Sequence, residues 1–147
     1  PAIAGSNTCA QGRRMSYFDH EKLDVYQAAI ELVILIDDVV ELLPRGRGYL
    51  ADQLQRAGAS VPLNIAEGAG EYSSAEKGKF YRIAKRSATE CAAIFDICRR
   101  LRLIEEMRYA KGRELLMRIV AMLTKMAQGA SFVPAPVPVC VPDSSSS

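Results

Sequence analysis

The stretch QLQRAGASVPLNIAEGAGEYSSAEK, residues 53–77, decides the fold. Its apolar residues keep helical spacing, yet Pro62 stands in the middle and Gly68 and Gly70 close the run. Carried one turn backwards, the pattern reads Leu50, Leu54, Ala57, Val61, Ile65, in steps of 4, 3, 4 and 4 that keep phase across the proline. Two helices parted by a break have no reason to share one register. The spacing therefore predicts a single helix from about Tyr49 to Ala69. Pro62 removes the hydrogen bond to the Gly58 carbonyl, which predicts a bend there, and Gly58 leaves room for it. Gly68 is expected to end the helix as a C-terminal cap.

Working outward, the same periodicity gives three more helices. The first is expected from about Asp19 to Leu43, stopped by PRGRG at residues 44–48. Leu23, Tyr26, Ile30, Val33 and Val40 mark one of its faces, while Leu32, Leu35, Ile36, Val39 and Leu43 cover much of the rest. A helix apolar around so much of its girth needs more than one packing partner, inside the domain or in another subunit. The third is expected to open with a capping box, Ser73-x-x-Glu76, and to reach about Leu103. Its stripe is Phe80, Ala84, Ser87, Cys91, Ile94, Cys98 and Leu101, in alternating steps of four and three. The fourth runs from about Glu106 to Gln128, with Leu115, Ile119, Met122 and Met126 on its stripe and Gly129 at its end. Four helices, short connections and no strand pattern predict an all-α, antiparallel up-down-up-down bundle. Residues 1–15 read as a flexible leader, residues 16–129 as the bundle, and residues 130–147 as a Pro/Ser-rich extended or disordered tail.

Charge is distributed more tellingly than its total of +2 suggests. Residues 19–43 carry seven acids and one base, a net −6; residues 44–130 carry sixteen bases and nine acids, a net +7. Such segments either neutralise each other on folding or present two fields of opposite sign. Cys91 and Cys98, seven residues apart on a helix, would have Cα atoms about 10 Å apart, beyond disulfide reach. They read as small core residues, and reduced thiols suit a cytoplasmic protein. No apolar run is long enough to span a membrane.

The pattern Gln53-Leu54, Arg56-Ala57, Ser60, Asn64-Ile65-Ala66-Glu67-Gly68, then Phe80, Ile83-Ala84, Ser87 and Glu90, resembles a known family. It is similar to the four-helix-bundle proteins encoded in bacterial 23S rRNA intervening sequences, among which are the accessory variability proteins of diversity-generating retroelements. The resemblance covers roughly Phe18 to Gln128. It implies a bundle assembled as a ring-like homopentamer. For the retroelement members it also implies nucleic-acid binding through a basic surface and partnership with a reverse transcriptase. The modest net charge and the Pro-rich tail set this chain apart from that subset. Within the motif, Arg56, Asn64, Glu67, Gly68 and Glu90 are expected to be structural. Asn64 and Glu67 would fix the turn into the third helix, and Arg56 would pair with Glu67 or Glu90 near the bundle interior.

The sequence holds no recognisable catalytic pattern. The chain has one histidine, His20, and no Glu-x-x-His pair of the kind that holds a di-iron centre in a bundle. No phosphate-binding glycine loop is present either. No enzyme activity, cofactor or metal is expected, and His20 reads as a helix cap. What remains is the basic set: Lys77, Lys79, Arg82, Lys85 and Arg86 on the first half of the third helix, and Arg99 and Arg100 near its end. These are the candidate contacts to RNA or DNA phosphates, with Tyr72 and Tyr81 placed to stack on bases. The competing expectation is a protein-interaction scaffold, in which the acidic first helix mates with the basic helices of another subunit.

Overall fold

The computed structural model describes residues 17–130. The expected leader, and the tail beyond residue 130, lie outside them. Among the described residues there are four α-helices and no strand: α1 (Asp24–Leu42), α2 (Gly48–Gly70), α3 (Ser74–Arg100) and α4 (Glu106–Ala130). A 3₁₀ turn, Asp19–Lys22, replaces the expected start of the first helix. Glu21 accounts for it, accepting from the Phe18 backbone N–H at 2.8 Å. His20 caps nothing; its ring lies between those of Phe18 and Tyr26, with centroids 5.7 and 4.6 Å away.

Each helix packs on its neighbours in the chain, and α1 also packs on α4. Neither α1 and α3 nor α2 and α4 approach one another. The four helices therefore occupy the corners of a square, with α1 and α3 on one diagonal. The core between them includes Leu32, Leu54, Ile65, Phe95, Ile119 and Leu123, all fully or almost fully buried. Each such side chain contributes about 1.5–3 kcal/mol over leaving it exposed. Cys91 and Cys98 belong to this core as free thiols.

The helix α2 runs unbroken through Pro62, which is buried. Its glycines have a different role from the expected one. Gly68 does not cap the helix, which continues to Gly70. It is buried instead, because a side chain there would strike the next helix: a Cβ would stand 2.7 Å from Cε1 of Tyr81. Gly58 likewise faces Ile36 of α1, whose Cδ1 would lie 2.5 Å from a Cβ. Both positions make room for a side chain of the neighbouring helix, which is why glycine stands at them.

The helix α3 departs from expectation at both ends. Ser73 makes no side-chain cap hydrogen bond, and the expected capping box is not formed; Glu76 turns to Lys79 at 3.7 Å instead. The far end stops short of Leu103, where Arg102 adopts φ 59° and the Leu103 N–H reaches back to the Cys98 carbonyl at 2.8 Å. This is a left-handed C-terminal closure of the kind glycine usually makes. Arginine at that position hid it from the sequence pattern. The stripe is also rotated at its start, with Tyr81 in the core and Phe80 only half-buried.

Candidate nucleic-acid interface

The two basic clusters of α3 are separate and chemically unlike. From Arg86 to Arg99 is 13 residues, about 20 Å along a helix. In the first cluster Lys79, Arg82 and Arg86 are exposed on the outer face and Lys77 and Lys85 are half-buried. The Glu76–Lys79 contact is its one ion pair among the described residues, and Arg82, Lys85 and Arg86 have none. Their charge is open to solvent.

The second cluster is partly occupied. Arg99 donates to Glu106 at 2.9 Å and lies 4.5 Å over the ring of Tyr109. The Tyr109 hydroxyl in turn donates to Asp96 at 2.7 Å. The hydrogen bond and charge of Glu106 push the Arg99 guanidinium further up from its already high pKa. Beside it Arg108 is held by Glu105 at 2.9 Å. Arg100 is exposed without an ion pair among the described residues. The expected pair of clusters is thus one open row and one turn between α3 and α4 in which Arg99 is salt-bridged and Arg100 is not.

Tyr81 is excluded from base stacking, being 6% exposed, with burial raising its hydroxyl pKa. Tyr72, in the turn before α3, is fully exposed.

The motif residues divide by face. Leu54, Ala57, Ile65, Gly68 and Ala84 are core. The polar members gather on the surface, where Gln53, Arg56, Ala57, Ser60, Ser87 and Glu90 line a cleft of about 310 Å³ between α2 and α3. The expected interior ion pair of Arg56 is absent there. Arg56 is exposed and gives its Nε–H to the Asp52 carbonyl at 3.3 Å, one helical turn back, because its position on α2 points away from the core. Glu67 and Glu90 are exposed and form no ion pair among the described residues. Asn64 does not fix the turn into α3; its Nδ2 donates to the Ser60 carbonyl at 2.8 Å and to Ser60 Oγ at 3.0 Å. Ser60 and Ser87 hydroxyls meet at 2.9 Å across the seam. A signal for this cleft did exist: Gln53, Arg56, Ser60 and Asn64 recur at helical steps, a polar stripe beside the apolar one.

Among the described residues no group of histidine, cysteine, aspartate and glutamate side chains is arranged to hold a metal ion. No described helix is long and apolar enough to cross a membrane.

Residues 21–125 match the family model of the 23S rRNA-intervening sequence protein. Among solved structures the chain is similar to a protein of unknown function from the S23 ribosomal protein family of Bacteroides thetaiotaomicron VPI-5482. The two share 21% identity and superpose with a TM-score of 0.66, over 71% of this chain and 98% of that one. At that identity the likeness carries the fold. No curated protein matches the chain.

Proposed function

The chain belongs to the 23S rRNA-intervening sequence protein family, and from that premise we propose that it is a non-enzymatic, oligomeric bundle that binds structured RNA or DNA through α3. One observation carries the reading. The open basic row of Arg82, Lys85 and Arg86 lies on the corner diagonal to acidic α1, since α1 packs on α2 and α4 and does not approach α3. The acids of α1 are therefore unavailable to neutralise that row within one chain. Phosphates would meet it with strong salt dependence and little sequence preference, and Tyr72 is free to stack on a base. In a ring each subunit repeats the row, which multiplies the field.

The proposed assembly is the ring-like homopentamer implied by the family resemblance, acting in the cytoplasm, where buried free thiols such as Cys91 and Cys98 persist. The helices are read as antiparallel neighbours. Support comes from contacts that run in opposite order along α2 and α3, with Ser60 meeting Ser87 and Gly68 meeting Tyr81. The α2 helix is read as bent at Pro62, where the Gly58 carbonyl loses its donor.

The same diagonal favours a second reading, in which the row mates with α1 of another copy. Ile34, Asp37 and Asp38 of α1 border a groove of about 330 Å³ with largely apolar walls, and such a surface suits a partner carrying bases. Fluorescence anisotropy of a labelled RNA hairpin across a salt series separates the two. Micromolar or tighter binding that falls steeply with salt supports the nucleic-acid reading. No binding at low salt overturns it and leaves the scaffold.

A further inference from the structure

The cleft between α2 and α3 has more hydrogen-bonding capacity than the protein uses. Its floor is the Ser60–Ser87 hydroxyl pair, with Asn64 already donating to Ser60 Oγ. The two serines bring two hydroxyl hydrogens, and the bond between them uses one. The other has no acceptor among the described residues. On the α2 wall, Arg56 engages only its Nε–H, leaving both terminal guanidinium nitrogens without a partner among the described residues. On the α3 wall stands the Glu90 carboxylate, which pairs with neither Arg56 nor any other base there. A strong donor and a strong acceptor thus face one recess without cancelling each other.

We propose that this cleft takes the hydrogen-bonding edge of an unpaired nucleobase, from a loop or bulge of an RNA laid along α3. A base edge presents acceptors and donors side by side, which is what a guanidinium, a carboxylate and a spare hydroxyl can satisfy together. In a duplex those edges are paired and stacked, so a recess of this kind is reached only by an unpaired base. The volume stands at the small end of the range for ligand pockets, suited to one base rather than a helix. Position agrees with this role. Glu90 stands one helical turn beyond Arg86, as Arg86 does beyond Arg82, so a backbone held on the Arg82–Arg86 row passes the mouth of the cleft. The inference rests on the nucleic-acid reading above: the basic row supplies affinity, and the cleft selects unpaired segments.

The test compares two labelled RNAs of equal phosphate count, one a full duplex and one a stem with an unpaired loop. The loop RNA is expected to bind roughly tenfold tighter, the size of one good bidentate contact. Glu90→Gln and Ser87→Ala should each shrink that preference, read as the ratio of the two affinities, because the charge lost at Glu90 raises phosphate binding for both RNAs alike. Glu90 is exposed, so Glu90→Gln should fold normally, which its melting curve verifies. Equal, salt-dependent binding of both RNAs would overturn the cleft's role and leave the basic row standing, as would a preference that both variants retain. Failure of both RNAs to bind at low salt would remove the basic-row reading and this inference with it.

Discussion

Gly68 of α2 lies against Tyr81 of α3 so closely that a Cβ would stand 2.7 Å from the ring's Cε1 and 3.0 Å from Cδ1, with Phe80 Cβ at 3.1 Å. The ring has no free direction to move in, being 6% exposed. Gly68→Ala should therefore destabilise the fold by about 1–3 kcal/mol, the usual penalty of overpacking. Gly70, two residues on, has nothing within 4 Å of a Cβ. There the same substitution should be neutral or stabilising by about 0.4–1 kcal/mol, through the unfolded chain. Equal melting temperatures for the two variants would contradict the packing assigned to Gly68.

The two basic clusters should behave differently toward RNA. Arg82→Ala and Arg86→Ala are each expected to weaken binding uniformly across sequences and to lower the salt slope by about one. Arg99→Ala should leave both nearly unchanged, because Glu106 and Tyr109 already hold that guanidinium. Anisotropy titrations at several salt concentrations read all three. A larger loss from Arg99→Ala than from Arg82→Ala would reverse the assignment.

Cys91 makes stability depend on alkaline pH. Burial, and secondarily the charge of Glu90, push its thiol from 9.0 up to about 12. The folded chain thus keeps the proton where the unfolded chain gives it up. That contribution is complete below about pH 9 and is lost as pH rises toward about 12. Urea midpoints should fall over this window by more in the parent protein than in Cys91→Ala. Parallel curves would show that the thiol contributes nothing to the pH dependence.

Assembly has its own test at Ile34, which is 59% exposed at the groove between α1 and α2. Light scattering after size exclusion should give a mass several times 16.1 kDa for the parent chain. Ile34→Asp should reduce it, since a charge at an apolar contact is costly to bury. A parent chain that elutes as a monomer would end the oligomer proposal, and an unchanged mass for the variant would move the contact elsewhere.

Where sequence reading succeeded, it relied on periodicity. The stripe through Leu50, Leu54, Ala57, Val61 and Ile65 placed α2 to within a residue at each end and carried it through Pro62, because apolar residues must return to one face every turn. It failed where one residue type has two uses. Gly68 reads as a cap by chemistry alone, but its neighbour in space, Tyr81, makes it a packing position. Arg102 closes α3 in a left-handed conformation that sequence habit reserves for glycine.

The candidate site was half legible for the same reason. The composition of α3 names Lys77, Lys79, Arg82, Lys85, Arg86, Arg99 and Arg100 alike, and periodicity groups them by face. The amino-acid sequence by itself determined four helices, a shared core and a segregation of charge, all consequences of local spacing and residue type. Only the tertiary structure decided that α1 and α3 stand on a diagonal, that Glu106 occupies Arg99, and that Arg56 and Glu90 face one cleft instead of forming a pair. Those facts depend on which helix lies beside which and in what register, a relation between residues far apart in the chain that no local pattern encodes.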